Sequence, residues 1–216
     1  MKCIVLANGQ APSKKVLMYL NNQGYKTLIC ADGGANSVFK LDIIPDYIIG
    51  DLDSILPGVY DYYFDRCKII KKPDQSSTDV EKCLEYAVKK KFTEVILLGA
   101  TGDRLDHSFC NLGIVIKYFN KICVKILHHS SLLCAYKKNV TLKTIPNEVI
   151  SIYGFDAGTK IKSYGLKYPL KNISLHFGRK ESTSNVALCD EVKLSIKNGI
   201  VFVIRDFDIM KKYDLF

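Results

Sequence analysis

Apolar and polar positions follow two patterns along the chain, and the first fills its N-terminal part. Short apolar runs typical of buried strands alternate there with segments whose apolar side chains recur every three or four residues, as on one face of a helix. Thr78 and Glu81 have the sequence of a capping box at the start of the clearest helix. The predicted strands are residues 2–8, 26–34, 46–50, 68–73, 94–100 and 123–129, and the predicted helices are residues 12–25, 35–42, 77–92 and 106–119. This alternation predicts a doubly wound, mainly parallel sheet.

The second pattern begins after residues 123–129, where the helical spacing disappears. The remaining apolar runs are short and partly alternating, and Asn, Gly, Asp and Pro separate them. Asn198-Gly199 lies between two such runs and is the strongest short-range signal for a β-hairpin. This part of the chain is typical of an antiparallel β-sandwich or barrel. We therefore predict an α/β domain over residues 1–128 and a β-sandwich domain over residues 129–216.

The amino-acid composition is typical of a globular protein. The chain has 216 residues, of which 48% are hydrophobic and 25% charged, as in ordinary globular domains. No apolar stretch has the length of a membrane span, and the first ten residues lack the layout of a signal peptide. Eight cysteines are scattered without a C-x-x-C pair, mostly inside apolar runs. We expect free thiols in a reducing cytoplasm rather than zinc sites or disulfides.

The formal net charge of +9 raises the question of nucleic acid binding. The lysines are dispersed along the chain, and no stretch interleaves aromatic and basic residues as single-strand binders do. A solvated basic surface that attracts an anionic substrate therefore explains the charge better than a polynucleotide partner. We expect no nucleic acid and no membrane among the partners.

Polar residues collect where the predicted parallel strands end. Because the C-terminal ends of parallel strands lie along one edge of a sheet, these segments should converge on one crevice, where doubly wound proteins bind ligands. The segments are Asn8-Gly9-Gln10, residues 32–36, residues 51–54, residues 74–79 and residues 99–107. All of them except the first carry aspartate, although the protein as a whole is basic.

Aspartates that converge near neutral pH need a cation, and hard oxygen ligands suit Mg²⁺. Asp51 and Asp53 follow a buried strand and are two positions apart, so in an extended segment their side chains point the same way. Asp79 lies in the first turn of a helix, where free N–H groups favour an anion. These three are the predicted metal ligands. Asp74 and Asp103 can equally be turn formers or helix caps.

Glycines and one arginine point to phosphate. Gly33-Gly34 and the pair Gly99 and Gly102 would allow the backbone to approach an anion closely, although neither stretch is a P-loop. Arg104 is the natural partner of phosphate oxygens, since its planar fork can bind two at once. His107 beside Asp106 can be a base or a structural hydrogen-bonding group. The residues alone thus indicate a Mg²⁺-dependent enzyme that acts on a nucleoside polyphosphate.

Six blocks of sequence resemble, in order, the signature segments of the thiamine pyrophosphokinases. Four of them fall in the first half: ADGGAN at 31–36, GDLDS at 50–54, DQSSTD at 74–79 and GATGDRLDH at 99–107. Two fall in the β-rich half and resemble the family's thiamine-binding segments: GLKYPL at 165–170 and STSN at 182–185. Because the blocks span nearly the whole chain, the resemblance implies both of the family's domains.

The resemblance implies that the enzyme transfers a pyrophosphoryl group from ATP to the hydroxyethyl oxygen of thiamine, giving thiamine diphosphate and AMP. The metal ligands would be Asp51, Asp53 and Asp79. The catalytic set would add Arg104 and Asp106 to these three. The ATP-binding residues would be Asp32, Gly33, Gln75, Thr78, Arg104, Asp106 and His107. Positioning and charge neutralisation can carry such a transfer, so no dedicated general base is assigned.

The resemblance also implies a homodimer, with thiamine bound between the first domain of one subunit and the β domain of the other. Ser182 and Asn185 would contact the aminopyrimidine ring of thiamine, and Tyr168 would be an aromatic platform for a flat cationic ring. Many relatives carry tryptophan where this chain has Tyr168, and the chain has no tryptophan. Tyrosine is the weaker cation–π face, so this departure bears on thiamine affinity and selectivity.

Two other functions remain open at this point. A nucleotide-sugar transferase also uses D-x-D after a strand to hold Mg²⁺ and a diphosphate, but it leaves the Thr78-Asp79 helix start and the STSN segment unexplained. A basic module that binds nucleic acid or free nucleotide without chemistry predicts salt-sensitive binding to any polynucleotide and indifference to Mg²⁺.

Overall fold

A computed structural model describes residues 1–102 and 104–216 of the chain. These residues form two compact units, Met1–His129 and Ser130–Phe216. Among the described residues, no helix combines the length and the apolar character that crossing a membrane requires.

The first unit is a six-stranded parallel sheet with helices between its strands. Its strands are β1 (Lys2–Leu6), β2 (Thr27–Ala31), β3 (Tyr47–Gly50), β4 (Lys68–Lys71), β5 (Glu94–Leu98) and β6 (Cys123–His128). Its helices are α1 (Lys14–Asn22), α2 (Gly34–Lys40), α3 (Pro57–Tyr63), α4 (Asp79–Lys89) and α5 (Leu105–Tyr118). The strand order is β6-β5-β1-β2-β3-β4, and every neighbouring pair is parallel. The predicted doubly wound parallel sheet is confirmed.

Local signals explain most of these elements. The capping box predicted for α4 is present, since Thr78 Oγ1 accepts from the Glu81 N–H at 3.3 Å and the Glu81 carboxylate accepts from the Thr78 N–H at 3.1 Å. Helix α3 was not predicted. It is short, its N-cap Leu56 makes no side-chain capping bond, and Pro57 at its start was the one available signal.

The order of the strands reverses at β1, which has β2 on one side and β5 on the other. Such a switch point is where open α/β sheets form their ligand crevice. The loops that leave β1 and β5 are joined there by hydrogen bonds. The Gly9 N–H donates to the Gly99 carbonyl at 2.9 Å, and the Gln10 N–H donates to the Thr101 carbonyl at 3.3 Å. These main-chain contacts hold the loops after β1 and β5 together at the polar edge of the sheet.

The second unit consists of two antiparallel sheets, and the predicted β-sandwich is confirmed. Its strands are β7 (Ser131–Tyr136), β8 (Val140–Lys143), β9 (Val149–Gly154), β10 (Lys160–Tyr164), β11 (Lys171–Ile173), β12 (Ser182–Val186), β13 (Glu191–Lys197) and β14 (Val201–Asp206). Within this unit one sheet has the order β12-β9-β14-β7 and the other β11-β10-β13-β8. Both sheets contribute to one apolar core, which includes Ile152 and Val203 from the first and Ile161 and Leu194 from the second.

The hairpin predicted at Asn198-Gly199 is wrong. The turn does connect β13 to β14, but β13 pairs with β10 and β8, whereas β14 pairs with β7 and β9. Asn198 has a left-handed backbone with φ of 60°, and Gly199 lies so close to the Thr159 side chain that it has no room for a Cβ. The two residues thus allow the chain to cross from one sheet to the other.

A helix follows the last strand, in a part of the chain where only strands were predicted. Helix α6 (Phe207–Lys212) begins at Asp206, whose side chain accepts from the Ile209 N–H at 2.8 Å. Phe207 and Met210 are its buried residues. A six-residue helix is too short for its spacing to stand out among alternating runs.

Candidate active site

Three aspartates lie together at the polar edge of the first unit. Asp32 follows β2, Asp51 follows β3 and Asp79 is the first residue of α4. One carboxylate oxygen from each lies within 4.8 Å of the other two, an arrangement that could hold a metal ion. We call these three residues the acidic cluster. It contains two of the three predicted metal ligands, Asp51 and Asp79, and its third member is Asp32, which was expected among the ATP-binding residues.

Asp32 is the buried member of the acidic cluster, with 1% of its surface exposed. Its two carboxylate oxygens accept from the backbone N–H groups of Ser54 at 3.0 Å and Ile55 at 3.1 Å, so it also fixes the loop after β3. Burial raises the pKa of Asp32, the hydrogen bond from the Ser54 N–H lowers it, and the neighbouring Asp79 and Asp53 carboxylates raise it, so that the pKa is about 6. The carboxyl group is thus shielded from water and lies beside other carboxylates.

Gly50 makes the close approach of these carboxylates possible. A Cβ at this position would lie 2.7 Å from Asp32 Cβ and 3.1 Å from Asp79 Oδ1. The first contact is closer than carbon atoms tolerate and the second is tight, so a larger residue would force the residues of the acidic cluster to move. The glycine in GDLDS therefore has a steric role beside the two aspartates that follow it.

Asp53 is not one of the three clustered residues. It is exposed, and its carboxylate accepts from the Ser54 hydroxyl at 2.8 Å. The argument that Asp51 and Asp53 point the same way fails because the segment is not extended: Leu52 has a φ of 70° and turns the chain. The Asp53 carboxylate nevertheless lies near enough to Asp32 to raise its pKa.

A lysine that the sequence reasoning missed lies beside the acidic cluster. Lys82 Nζ is 2.9 Å from Asp79 Oδ1 and 3.7 Å from Asp51 Oδ2, and only 2% of the residue is exposed. Burial lowers the pKa of Lys82, but Asp79 and Asp51 outweigh this effect and the net pKa is raised, so the ammonium remains charged. The signal in the sequence was the spacing Asp79-x-x-Lys82, which places both side chains on one face of a helix.

Gln75 and Asp74 occupy the loop before α4. Gln75 Nε2 donates to Asp51 Oδ2 at 2.9 Å, and this bond is the main cause of the lowered pKa of Asp51. Asp74 accepts from the N–H and the hydroxyl of Ser76, at 3.2 and 2.6 Å, as a turn-forming residue does. Asp103, for which the same alternative was open, lies outside the described residues.

The glycines of the polar loops serve close packing. A Cβ at Gly33 would overlap the Asn8 side chain, and one at Gly34 would overlap the Leu6 carbonyl. Gly99 has a left-handed φ of 61° and packs against the Ala7 carbonyl. These contacts bring the loops after β1, β2 and β5 together, whether or not the same backbone also meets phosphate.

Arg104 and Asp106 form an exposed pair at the start of α5. Arg104 Nε donates to Asp106 Oδ1 at 3.0 Å and Nη2 donates to Oδ2 at 2.5 Å. The guanidinium holds the pKa of Asp106 well below its usual range. His107 is also exposed. Nearby, Thr101 Oγ1 is buried and has no hydrogen-bond partner among the described residues.

Comparison with known proteins identifies the family. A sequence model described as "Thiamin pyrophosphokinase, catalytic domain" matches residues 18–127, and one described as "Thiamin pyrophosphokinase, vitamin B1 binding domain" matches residues 138–201. The chain belongs to the thiamin pyrophosphokinase family. It catalyses the formation of thiamine diphosphate from thiamine and ATP, as the six sequence blocks predicted.

Individual thiamin pyrophosphokinases resemble the chain along most of its length. Thiamine pyrophosphokinase 1 of Oryza sativa is 28% identical over 82% of this chain and 77% of its own. Thiamin pyrophosphokinase 1 of Caenorhabditis elegans is 28% identical over 94% of this chain and 88% of its own. The crystal structure of the thiamin pyrophosphokinase from Geobacillus thermodenitrificans has a TM-score of 0.80 at 24% identity and covers 95% of this chain and 97% of its own. The thiamin pyrophosphokinase from Candida albicans has a TM-score of 0.81 at 21% identity, covering 95% and 88% of the two chains. Both structures share the fold.

The residues expected to bind thiamine in this thiamin pyrophosphokinase lie in the second unit. Tyr168 is 60% exposed, whereas Ser182 and Asn185 are buried. Asn185 Oδ1 accepts from the N–H groups of Tyr168 at 3.1 Å and Val186 at 2.9 Å. Asn185 Nδ2 donates to the Tyr168 carbonyl at 2.8 Å and to Ser182 Oγ at 3.0 Å. The amide thus uses both acceptor positions and both donors within the protein.

Proposed function

We propose that the acidic cluster binds the divalent cation that accompanies ATP, and that this ion is Mg²⁺. The observation that carries the proposal is the meeting of three carboxylate oxygens within 4.8 Å. Oxygen ligands surround Mg²⁺ at about 2.1 Å, so opposite ligands of one ion are about 4.2 Å apart. Three carboxylate oxygens are a donor set that a hard divalent ion prefers, and because at most one pair among three octahedral ligands can be opposite, the side chains would draw closer together as the ion binds.

When bound, the ion would neutralise charge on the phosphate oxygens of ATP. Asp51 and Asp79 would hold it together with Asp32, and Gln75 would keep the Asp51 carboxylate oriented through its 2.9 Å hydrogen bond. Asp53 remains a predicted ligand, and its exposed carboxylate borders the acidic cluster. We further propose that Gly33, Thr78, Arg104, Asp106 and His107 contact or position the nucleotide.

Arg104 is the proposed phosphate-binding side chain. Its two bonds to Asp106 use two of the five N–H donors of the guanidinium, which leaves three for phosphate oxygens. Asp106 then acts by fixing the direction of the guanidinium. The Thr101 hydroxyl, which has no hydrogen-bond partner among the described residues, lies in the same loop and would offer a further donor to a polar ligand atom.

In the proposed reaction the hydroxyethyl oxygen of thiamine attacks the β-phosphorus of ATP. The bond between the β-phosphorus and the oxygen that bridges to the α-phosphorus breaks, and AMP leaves with that oxygen. The hydroxyl proton of thiamine is lost, and a carboxylate of the acidic cluster would accept it. The side chains contribute position and charge rather than covalent chemistry.

A direct assay tests the metal assignment. Purified protein is incubated with ATP, thiamine and increasing Mg²⁺, and AMP and thiamine diphosphate are measured together. We expect both products to require thiamine and Mg²⁺, and we expect Asp51→Ala to abolish them. Full activity of Asp51→Ala or of Asp79→Ala would remove the acidic cluster from the mechanism.

We propose that thiamine stacks on Tyr168, which presents an exposed ring with Lys167 Nζ 5.6 Å from its centroid. Ser182 and Asn185 complete the proposed thiamine site. Because the Asn185 amide is saturated by bonds within the protein, its part is to hold the Tyr168 backbone and the Ser182 hydroxyl in place.

We propose that the working enzyme is a homodimer in which each active site combines the acidic cluster of one subunit with Tyr168 of the other. The family resemblance supports this arrangement. Mixing Asp51→Ala, which should be inactive, with Tyr168→Ala, which should be weak at a thiamine concentration far below its KM, tests it after subunit exchange. A shared site predicts recovered activity, because one of the two sites in a mixed dimer carries neither substitution. No recovery despite demonstrated exchange would contradict a shared site.

We propose a cytoplasmic location for the enzyme. All eight cysteines are free thiols, and three of them are buried in the first unit. Free thiols of this number suit a reducing compartment. Localisation of the tagged full chain in its own cells would test the proposal.

A further inference from the structure

The ammonium group of Lys82 is a resident positive charge at the acidic cluster. It lies 2.9 Å from Asp79 Oδ1 and 3.7 Å from Asp51 Oδ2, and its side chain is 3% exposed. The backbone around it is fixed, because its N–H donates to the Thr78 carbonyl at 2.9 Å within the first turn of α4. Its carbonyl also accepts from Lys72 Nζ at 3.4 Å.

The charge of Lys82 matters because the acidic cluster carries three carboxylates close together. Three carboxylates whose oxygens lie within 4.8 Å repel each other strongly when they are shielded from water. Lys82 offsets one of the three negative charges. A divalent ion that reaches the same oxygens must do so beside an ammonium of its own sign.

We propose that Lys82 is the counter-ion of the acidic cluster when no divalent cation is bound, and that it thereby holds the metal-free site together and weakens its affinity for the free ion. The inference rests on the proposed metal site. Its consequence is that the ion enters with ATP, because the negative polyphosphate compensates the lysine's charge. Lys82 is thus a positioning residue for Asp51 and Asp79.

The test compares Lys82→Met, which keeps much of the side-chain length without its charge, with the wild-type protein. Thermal unfolding is measured in chelator and then with increasing free Mn²⁺, and Mn²⁺ affinity is measured by electron paramagnetic resonance. We expect Lys82→Met to melt lower in chelator, to regain stability as Mn²⁺ is added, and to bind free Mn²⁺ about tenfold or more tightly than wild type. Lys89→Met, an exposed lysine on the same helix, is the matched control and should leave both measurements unchanged.

A second variant separates charge from packing. If Lys82→Met is unstable because Asp51 and Asp79 repel, then Asp79→Asn added to it should restore the metal-free melting temperature. Loss of stability that neither Mn²⁺ nor Asp79→Asn restores would overturn the counter-ion role, as would an unchanged melting temperature in chelator. If the wild-type protein binds Mn²⁺ and Lys82→Met binds it no more tightly, the role of the lysine is overturned while the metal site stands. The absence of any Mn²⁺ response in the wild type would overturn the metal site itself.

Discussion

The side-chain amide of Asn185 forms two hydrogen bonds with the main chain of Tyr168: it accepts from the Tyr168 N–H at 3.1 Å and donates to the Tyr168 carbonyl at 2.8 Å. Asn185 is 1% exposed, whereas Tyr168 is 60% exposed. A buried polar group thus holds an exposed aromatic ring in place. Asn185, which the family resemblance assigned to thiamine contact, thus binds the main chain of Tyr168, the residue proposed as the aromatic platform.

Replacing Asn185 with alanine should harm both stability and thiamine binding. The change removes the partners of the partly buried N–H and carbonyl of Tyr168, and we expect a loss of about 1–2 kcal/mol in the free energy of unfolding. The thiamine KM should rise while the ATP KM stays the same. Urea unfolding and steady-state kinetics measure the two effects. Asn185→Asp places a buried carboxylate oxygen 2.8 Å from the Tyr168 carbonyl, so it should be at least as unstable as Asn185→Ala. A lower stability with an unchanged thiamine KM would contradict the link to the substrate.

Substitutions of Tyr168 itself should act on thiamine alone. Removing a cation–π partner costs about 0.5–2 kcal/mol, so Tyr168→Ala should raise the thiamine KM about 2- to 30-fold with little change in the ATP KM. Tyr168→Trp should lower the thiamine KM, because tryptophan is the better face. Tyr164→Ala, at another highly exposed tyrosine of the same unit, is the control. Equal effects of Tyr168→Ala on both KM values would show that the residue is merely structural.

Gly50→Ala should disrupt the acidic cluster by steric means. The added methyl group would lie 2.7 Å from Asp32 Cβ, so we expect a destabilisation of about 1–3 kcal/mol and a large loss of activity. Thermal unfolding and the AMP-release assay measure these. Gly58→Ala is the matched control, since among the described residues no atom beyond its chain neighbours and its own helix backbone lies within 4 Å of the position its Cβ would take. If Gly50→Ala retains full activity, the spacing of the three carboxylates does not matter to the enzyme.

The two aspartates of GDLDS should differ when each is changed to asparagine. Asp51 belongs to the acidic cluster and Asp53 lies outside that group of three, so Asp51→Asn should cost more activity than Asp53→Asn. The difference should be largest at limiting Mg²⁺ and should narrow as Mg²⁺ is raised. Equal loss for both, with an equal shift in the Mg²⁺ requirement, would make Asp53 a direct ligand.

Glu94 should give part of the stability a pH dependence. Its carboxylate accepts from the Tyr25 hydroxyl and from Lys125 Nζ, the latter at 2.9 Å. Burial raises the pKa of Glu94, but these two partners lower it by more, so the pKa lies below its usual value of 4.5. Because the folded-state pKa is depressed, this stability is present above pH 4.5 and is lost as the pH falls through the folded-state value. Glu94→Gln should therefore be about 1–2 kcal/mol less stable than wild type at pH 7, and the difference should shrink on acidification.

Urea unfolding across this pH range measures the effect of Glu94→Gln. Glu85→Gln is the control, because the Glu85 side chain is 54% exposed and its contact with Lys72 is 3.5 Å long. If the difference in unfolding free energy between Glu94→Gln and wild type stays constant as the pH is lowered, packing rather than charge is responsible.

Local sequence determined much of this protein. The capping box of Thr78 and Glu81, the strands of the parallel sheet and the polar loops at their ends depend on residues within a few positions of each other, so their patterns are visible in the chain. The six ordered sequence blocks likewise indicated the family. Asp51 and Asp79 were predicted together because parallel strands and their following helices must end at one edge of a sheet.

Only the tertiary structure decided which side chains meet. The place of Asp32 in the acidic cluster depends on the neighbouring strands β2 and β3, and the steric demand at Gly50 depends on two residues from other segments. The hairpin signal at Asn198-Gly199 failed because each flanking strand pairs with strands distant in sequence. Turn chemistry is local, whereas strand pairing, burial and the electrostatic field at a site are sums over groups that the chain brings together from far apart. For this reason the contact of Lys82 with Asp51 is visible only in the folded protein, whereas its contact with Asp79 follows from local helix spacing.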